Sequence, residues 1–240
     1  MGFLEWAKFM FRVGKKQGPL ARPWGMRRVD VPERMDLPDA DPEEVVQSLR
    51  DLGWVNRRLG GARAVCVEVE ALWRACGRPR AWRVLDVGTG GGDVAAAVSV
   101  WGARRGVRVW GVGLDRSRAA LVWVRGRGSP SQPAAFVCGD ARALPFRAGS
   151  FDLVVSGTTL HHFSGADAER VLLEAVRAAS SGVVVADLRR SRLGFWGAWA
   201  LARTLWRRHA YARHDGPASV RRAYTVAEMR GWLARLGLEG

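Results

Sequence analysis

A chain of 240 residues, 48% of them hydrophobic and carrying a formal charge of +15, suits one domain of moderate size with an appended subdomain. No apolar run reaches the length of a membrane span. Cys66, Cys76 and Cys138 are too few and too scattered for a disulfide framework or a zinc site, so a reducing cytoplasm is the expected compartment.

The charge alone does not select nucleic acid as a partner. All three lysines lie within the first sixteen residues, and the other basic residues are arginines, the surplus that GC-rich coding produces alongside Ala, Gly, Val and Trp. The distribution is more informative: eleven arginines from Arg189 to Arg235 face only Asp215 and Glu228.

In chain order, residues 1–28 form an extension. Phe3, Trp6, Ala7, Met10 and Phe11 recur at helical spacing beside Lys8, Arg12 and Lys15. Two readings are open, a short membrane-surface helix and a loosely ordered segment docked on the domain. The charges follow the apolar part instead of preceding it, unlike a secretory signal.

Residues 29–80 read as a helical amino-terminal cap. Asp41 caps a helix with Pro42 in its first turn, Glu43 and Glu44 favour its positive end, and Val45, Leu49, Leu52 and Val55 carry its apolar face. A second helix is expected over about Ala62–Ala75.

From residue 81 the pattern alternates. "RVLDVG", "VRVWGVGLD", "AAFVCGDA", "FDLVVSG" and "GVVVADL" read as strands, with helices in "GDVAAAVSVWGARRG", "SRAALVWVRGRG" and "DAERVLLEAVRAAS". Short strands joined by helices of this length imply right-handed crossovers and an α/β fold. The expected architecture is Rossmann-like and doubly wound, a mostly parallel sheet with helices on both faces.

After the fifth strand, residues 189–224 read as a basic, lid-like insertion. In "LGFWGAWALARTLWRRHA" the residues Phe195, Ala198, Trp199, Ala202, Leu205 and Trp206 give broad apolar coverage, with Arg203 and Arg207 on the remaining face. Such a helix could cover an acceptor pocket, lie on an anionic membrane or simply pack into the core.

The strand ends carry the chemistry. Asp86 precedes the glycine cluster Gly88, Gly90, Gly91 and Gly92, where absent side chains permit a tight turn and close approach of a ligand. Asp115 ends the second strand, where a carboxylate can accept both hydroxyls of a ribose. Asp140 follows the third strand, and "SGTTLHHF" the fourth. Four strands therefore deliver polar residues to one rim, where open α/β sheets bind their ligands.

That series resembles the class I S-adenosylmethionine-dependent methyltransferases from about Arg83 to Leu188. The flanks are softly similar to small stand-alone bacterial enzymes of quinone-biosynthesis or polyketide-modifying type. The Asp-x-Gly-x-Gly-x-Gly pattern is present as Asp86, Gly88, Gly90 and Gly92. The resemblance puts the ribose on Asp115 and the adenine amine near Asp140. It implies S-adenosyl-L-methionine as cofactor, held by Asp86, Gly88, Thr89, Gly90, Gly92, Asp115, Arg116, Asp140, Ala141 and Ser156.

The implied activity is methyl transfer to oxygen or carbon of a small aromatic, quinone-like or polyketide-like acceptor, as in secondary metabolism. His161 and His162 are the candidate general bases, since histidine titrates near neutral pH. Thr159, Arg221 and Tyr224 are the candidate substrate contacts, and no metal is expected. Asp93 favours the positive end of the helix after the glycines, with contact to the methionine ammonium as the alternative.

The sequence finishes with the helix of "TVAEMRGWLARLGLEG", where the family sheet adds two strands. Terminal strands 6 and 7 are therefore expected to be missing. Either the chain is naturally truncated, the edge of strand five is covered by a partner, a second copy or the amino-terminal segment, or the chain is a fragment.

Competing readings are an RNA methyltransferase and a non-catalytic methyltransferase-like partner protein. The first lacks an Asn/Asp-Pro-Pro-Tyr/Phe motif after strand four, so nucleic acid is not the expected partner. A nicotinamide dehydrogenase lacks its Tyr-x-x-x-Lys pair, and no lysine follows Lys16.

Overall fold

The computed structural model describes residues 26–128, 131 and 133–238. Nearly all of the extension expected over residues 1–28 lies outside them.

The amino-terminal cap contains α1 (Pro42–Arg58) and α2 (Gly61–Ala75). The Asp41 carboxylate accepts from the backbone N–H groups of Glu43 and Glu44, with Pro42 at the first helical position. This satisfies two donors that a helix start otherwise leaves open.

The α/β part follows as β1 (Ala81–Val87), α3 (Asp93–Ala103), β2 (Arg108–Asp115), α4 (Arg118–Gly126), β3 (Ala135–Cys138), β4 (Phe151–Gly157), α5 (Gly165–Ala178) and β5 (Ala179–Ala186). The five strands form one sheet in the order β3-β2-β1-β4-β5, and every pair is parallel. Strand order reverses at β1, where β2 lies on one side and β4 on the other. A crevice opens at the carboxyl ends of strands at such a point.

Both faces of the sheet are buried, so its strands alternate between two cores and not between core and water. Trp82, Val84, Leu153, Val155 and Val184 pack with Val65, Val69 and Leu72 of α2 and Val94, Val98 and Trp101 of α3. Leu85, Val87, Val154 and Val183 pack oppositely with Val171, Leu172 and Ala175 of α5.

After β5 come α6 (Arg192–Arg203), α7 (Ala210–Arg222) and α8 (Val226–Leu236). Trp232 and Leu233 of α8 join the core on the α5 face. Thr225 and Glu228 form a reciprocal capping box that starts α8.

The structure differs from the sequence reading in two places here. The helix expected through residues 193–210 ends at Arg203, and a separate helix, α7, follows with Pro217 inside it. Within α6 only Ala202 is buried, while Leu193, Trp196 and Trp199 are exposed, so this helix is not a core-packing element. Beyond β5, Arg189 makes an isolated parallel bridge with Tyr224, and the described residues contain no sixth strand.

Candidate functional site

A cavity of about 460 Å³ opens at the carboxyl ends of β1, β2 and β4, within the range typical of small-molecule sites. Its floor is the turn that follows β1. Gly88 has φ +70°, and a Cβ there would sit 2.3 Å from Thr159 Cγ2. Only glycine fits, because both the conformation and the space exclude a side chain. Gly90, with φ +47°, brings its N–H within 2.8 Å of Asp115 Oδ2.

Asp86 lies beneath this turn and not on the cavity wall. Its Oδ2 accepts from the Thr89 hydroxyl at 2.8 Å and from Ala95 N–H at 3.2 Å, tying the loop to the first turn of α3. Burial pushes its pKa up to about 7, and these two hydrogen bonds offset only part of that rise.

Asp115 is on the wall, at the end of β2. Its Oδ2 takes the Gly90 N–H and its Oδ1 the Ser117 N–H, each at 2.8 Å. A carboxylate offers about four lone-pair sites, so acceptor capacity remains on both oxygens. Burial is the largest influence on this carboxyl and raises its pKa.

Asp140 and Ala141 are also on the wall. The Asp140 carboxylate takes the Nε–H and Nη2–H of Arg142, at 3.1 and 2.7 Å, and this pairing lowers its pKa. Arg142 in turn reaches Asp167 at 3.0 Å. Asp93 lines the cavity and pairs with Arg57 of α1 at 3.2 Å.

The rim after β4 is held in an unusual conformation. Thr158 has φ +55°, a left-handed backbone that β-branched residues rarely adopt. Its N–H donates to Ala186 O at 2.8 Å. The Thr159 hydroxyl donates to Gly157 O at 3.0 Å and shares a longer contact with Gly88 O, fastening this rim to the glycine turn. Strain of this kind clusters at ligand sites.

The two histidines part company. His161 is fully buried and off the wall, with Nδ1 2.6 Å from Asp187 and Nε2 3.2 Å from Glu33. Burial alone would lower its pKa, but the two carboxylates outweigh it and raise the ring to about 10. Burial would likewise raise Glu33, yet His162, His161 and Ser219 together bring it down to about 2. His161 is therefore a buried cation, unsuited to taking a proton near neutral pH.

His162 does line the cavity, and its Nδ1 lies 2.5 Å from Asp36 Oδ2. The tautomer that donates Nδ1–H to Asp36 leaves Nε2 as an acceptor. Glu33, His161 and His162 bring three ligand-type atoms within 4.8 Å of one another. The two ring centroids lie 4.3 Å apart, with the planes tilted by 35°.

Several expected site residues are elsewhere. Gly92 caps α3 with φ +75° and is not on the wall. Ser156 is buried, its hydroxyl spent on Val87 O at 2.9 Å, where it staples β4 to β1. Arg221 is exposed and off the wall; its neighbour Arg222 is the one that lines the cavity, since one helical step turns a side chain by about 100°.

Tyr224 is buried against Trp232, with the Arg28 guanidinium 4.6 Å from its ring centre and its hydroxyl donating to Phe163 O. It does not line the cavity. Arg116 is on the wall and donates through Nη2 to Asp36 O at 2.6 Å.

Sequence reasoning missed Glu33, Asp36, Arg142 and Arg222. Arg222 donates to His162 O at 2.6 Å, and its Nε and Nη1 are buried without a hydrogen-bond partner. Asp215 of α7 accepts from the backbone N–H groups of Arg34 and Met35, and Ser219 donates to Glu33 at 2.7 Å. The insertion thus grips the segment that carries Glu33 and Asp36. The signal was a lone acid pair in "PERMD" and the polar residues of "HDGPASVRR", neither with a recognisable spacing.

Residues 85–186 match a family model described as a methyltransferase domain. A demethylmenaquinone methyltransferase of Roseiflexus castenholzii is 38% identical over 117 residues, 48% of this chain and 45% of that protein. One from Roseiflexus sp. is 35% identical over 128 residues, half of each chain. The chain spans about half the length of the curated relatives it matches.

Among solved structures, the plantazolicin methyltransferase BpumL, determined in complex with a triazolic desmethylPZN analog and SAH, has a TM-score of 0.61 at 14% identity. That match covers 85% of this chain and 71% of that one. A SAM-dependent methyltransferase from Aquifex aeolicus has a TM-score of 0.53 at 17% identity, covering 82% and 88%. At these identities the likeness is one of fold.

Proposed function

We propose that the chain, whose residues 85–186 match a methyltransferase domain, transfers a methyl group from S-adenosylmethionine to oxygen or carbon of a small aromatic acceptor. Quinone-like or polyketide-like rings are the favoured class. The single observation that carries the reading is the juxtaposition of Asp115, the Gly88–Gly91 turn and His162 on one cavity wall.

The residues present fit the cofactor. Gly88 leaves a floor that any Cβ would fill, and Asp115 keeps acceptor capacity for two ribose hydroxyls. Gly88, Thr89, Gly90, Asp115, Arg116, Asp140 and Ala141 are the residues that would hold it, and Asp86 supports them from below. Bound there, S-adenosylmethionine supplies a methyl group already activated on a sulfonium. What remains for the protein is orientation, exclusion of water and, for a hydroxyl or an acidic carbon, removal of a proton.

His162 is the residue assigned to that proton, at Nε2, with Asp36 as the group that orients its ring. Pro32, Met35, Leu49, Leu52 and Phe163 add apolar surface to the cavity lining, which suits an aromatic acceptor. The named activity of the Roseiflexus relatives supports a quinone-like ring.

The test is an extract of host cells incubated with methyl-labelled cofactor and either the protein or its Asp115→Ala variant. A labelled, organic-extractable small molecule, lost in the variant, is expected. Label confined to the RNA fraction would overturn the reading.

A further inference from the structure

We propose that the exposed face of α6 docks the protein onto an anionic lipid bilayer. The exposed positions of this helix are 192, 193, 196, 197, 199, 200 and 203, a single stripe at helical spacing. They include Leu193 at 85% exposure, Trp196 at 59% and Trp199 at 38%, and Leu205 just beyond the helix is 58% exposed. Isolated apolar residues on a surface are ordinary, but a contiguous aromatic and aliphatic stripe marks an interaction site.

The charge around the stripe selects the partner. From Leu188 to His214 the chain has seven arginines and no Asp or Glu. One of them, Arg190, is inward and paired with Glu228. Arg189, Arg203, Arg207, Arg208 and Arg213 are exposed, and the Arg203 guanidinium lies 4.7 Å from the Trp199 ring centre.

Tryptophan at the apolar boundary with arginine beside it is the pairing of an interfacial helix, whose apolar side sinks into the headgroup region while its cations meet anionic lipid. α6 has 12 residues, about 18 Å of helix, too short to cross a bilayer core of about 30 Å. No helix among the described residues is long and apolar enough to span. The helix therefore lies along the surface.

A single-stranded nucleic acid could also meet arginine and tryptophan. The aliphatic residues decide against it: Leu193 and Leu205, the former the most exposed large hydrophobic of the described residues, offer a base no stacking surface. The docking face adjoins the site through the fold, because α6 packs on α7, whose Arg222 lines the cavity.

Flotation of the full chain with vesicles tests the proposal. The probes are phosphatidylcholine alone and phosphatidylcholine with 30% phosphatidylglycerol, with a single-stranded oligoribonucleotide as competitor. The protein is expected to float with the anionic vesicles and to be released by high salt. The double variants Leu193→Ser/Trp196→Ser and Arg203→Glu/Arg207→Glu should each reduce the bound fraction by about tenfold or more. All substituted positions are exposed, so far-ultraviolet circular dichroism and S-adenosylhomocysteine binding should stay as in the parent. No flotation with anionic vesicles, flotation untouched by both variants, or complete displacement by the oligoribonucleotide would each overturn it.

Discussion

Stability should fall as the pH rises above neutrality, because one buried ring must stay protonated for the fold to hold. His161 is charged up to about 10 in the folded chain, against an ordinary value of 6.5, since Asp187 and Glu33 outweigh its burial. Above 6.5 the unfolded chain has released a proton that the folded chain still holds. Stability is therefore complete below 6.5 and is lost progressively up to about 10. The gap between the two values corresponds to about 5 kcal/mol at most, with a limiting slope of about 1.4 kcal/mol per pH unit.

Other groups move the same way at different pH. Burial raises Cys66 from 9.0 and Tyr224 from 10.0, so their losses begin near and above those values. Asp86, raised by burial to about 7, costs stability as pH rises from 3.8 to about 7 and little beyond. The interval from about pH 7.5 to 8.5 therefore reports chiefly on His161.

Urea midpoints measured across that interval at fixed ionic strength should show a loss of about 1 kcal/mol. The His161→Gln variant should be weaker throughout by about 3–5 kcal/mol, since it leaves buried carboxylates poorly paired, but its midpoint should be flat. A flat parent protein, or a variant that keeps the slope, would refute the buried cation.

Two further outcomes follow from the site. Gly88→Ala forces a left-handed alanine and a Cβ 2.3 Å from Thr159, and should cost about 2–5 kcal/mol in urea unfolding together with loss of S-adenosylhomocysteine binding. Asp36→Asn keeps a hydrogen bond to His162 but removes the orienting charge; methyl transfer to the labelled acceptor should fall about a hundredfold and its pH profile should shift, with cofactor affinity within about twofold.

The sheet was legible because its strands are short, apolar and punctuated by glycine, and because an acid closes β1 and β2. Asp115 in particular could be placed on the rim from its position at the end of β2, since ligands bind at the carboxyl ends of the strands in such a topology. Ser156 and Arg221 show where that logic stops. In a strand buried on both faces, polarity does not say which way a hydroxyl turns, and Ser156 turns to a neighbouring carbonyl. In a helix, a one-residue error rotates the chosen side chain off the wall, as with Arg221 and Arg222.

Glu33 and Asp36 were hidden for a different reason. They reach the site from a loop more than a hundred residues before His161 and His162, and are held there by Asp215 and Ser219 of α7. Helix α7 was not separated from the preceding segment in the sequence reading, and Pro217 lies inside it. The role of α6 stayed open between a lid, a membrane-surface helix and a core helix because tryptophan and leucine carry the same hydropathy whether they are covered or exposed.

Calorimetric titration with S-adenosylhomocysteine tests the central claim most directly, using the parent chain and Asp115→Asn. The parent should bind one equivalent, unaffected by NADH, and the variant should bind about 10- to 100-fold more weakly, the cost of losing hydrogen bonds to a charged acceptor. No binding by the parent, or equal binding by the variant, would contradict a methyl-donor site built on the glycine turn and Asp115.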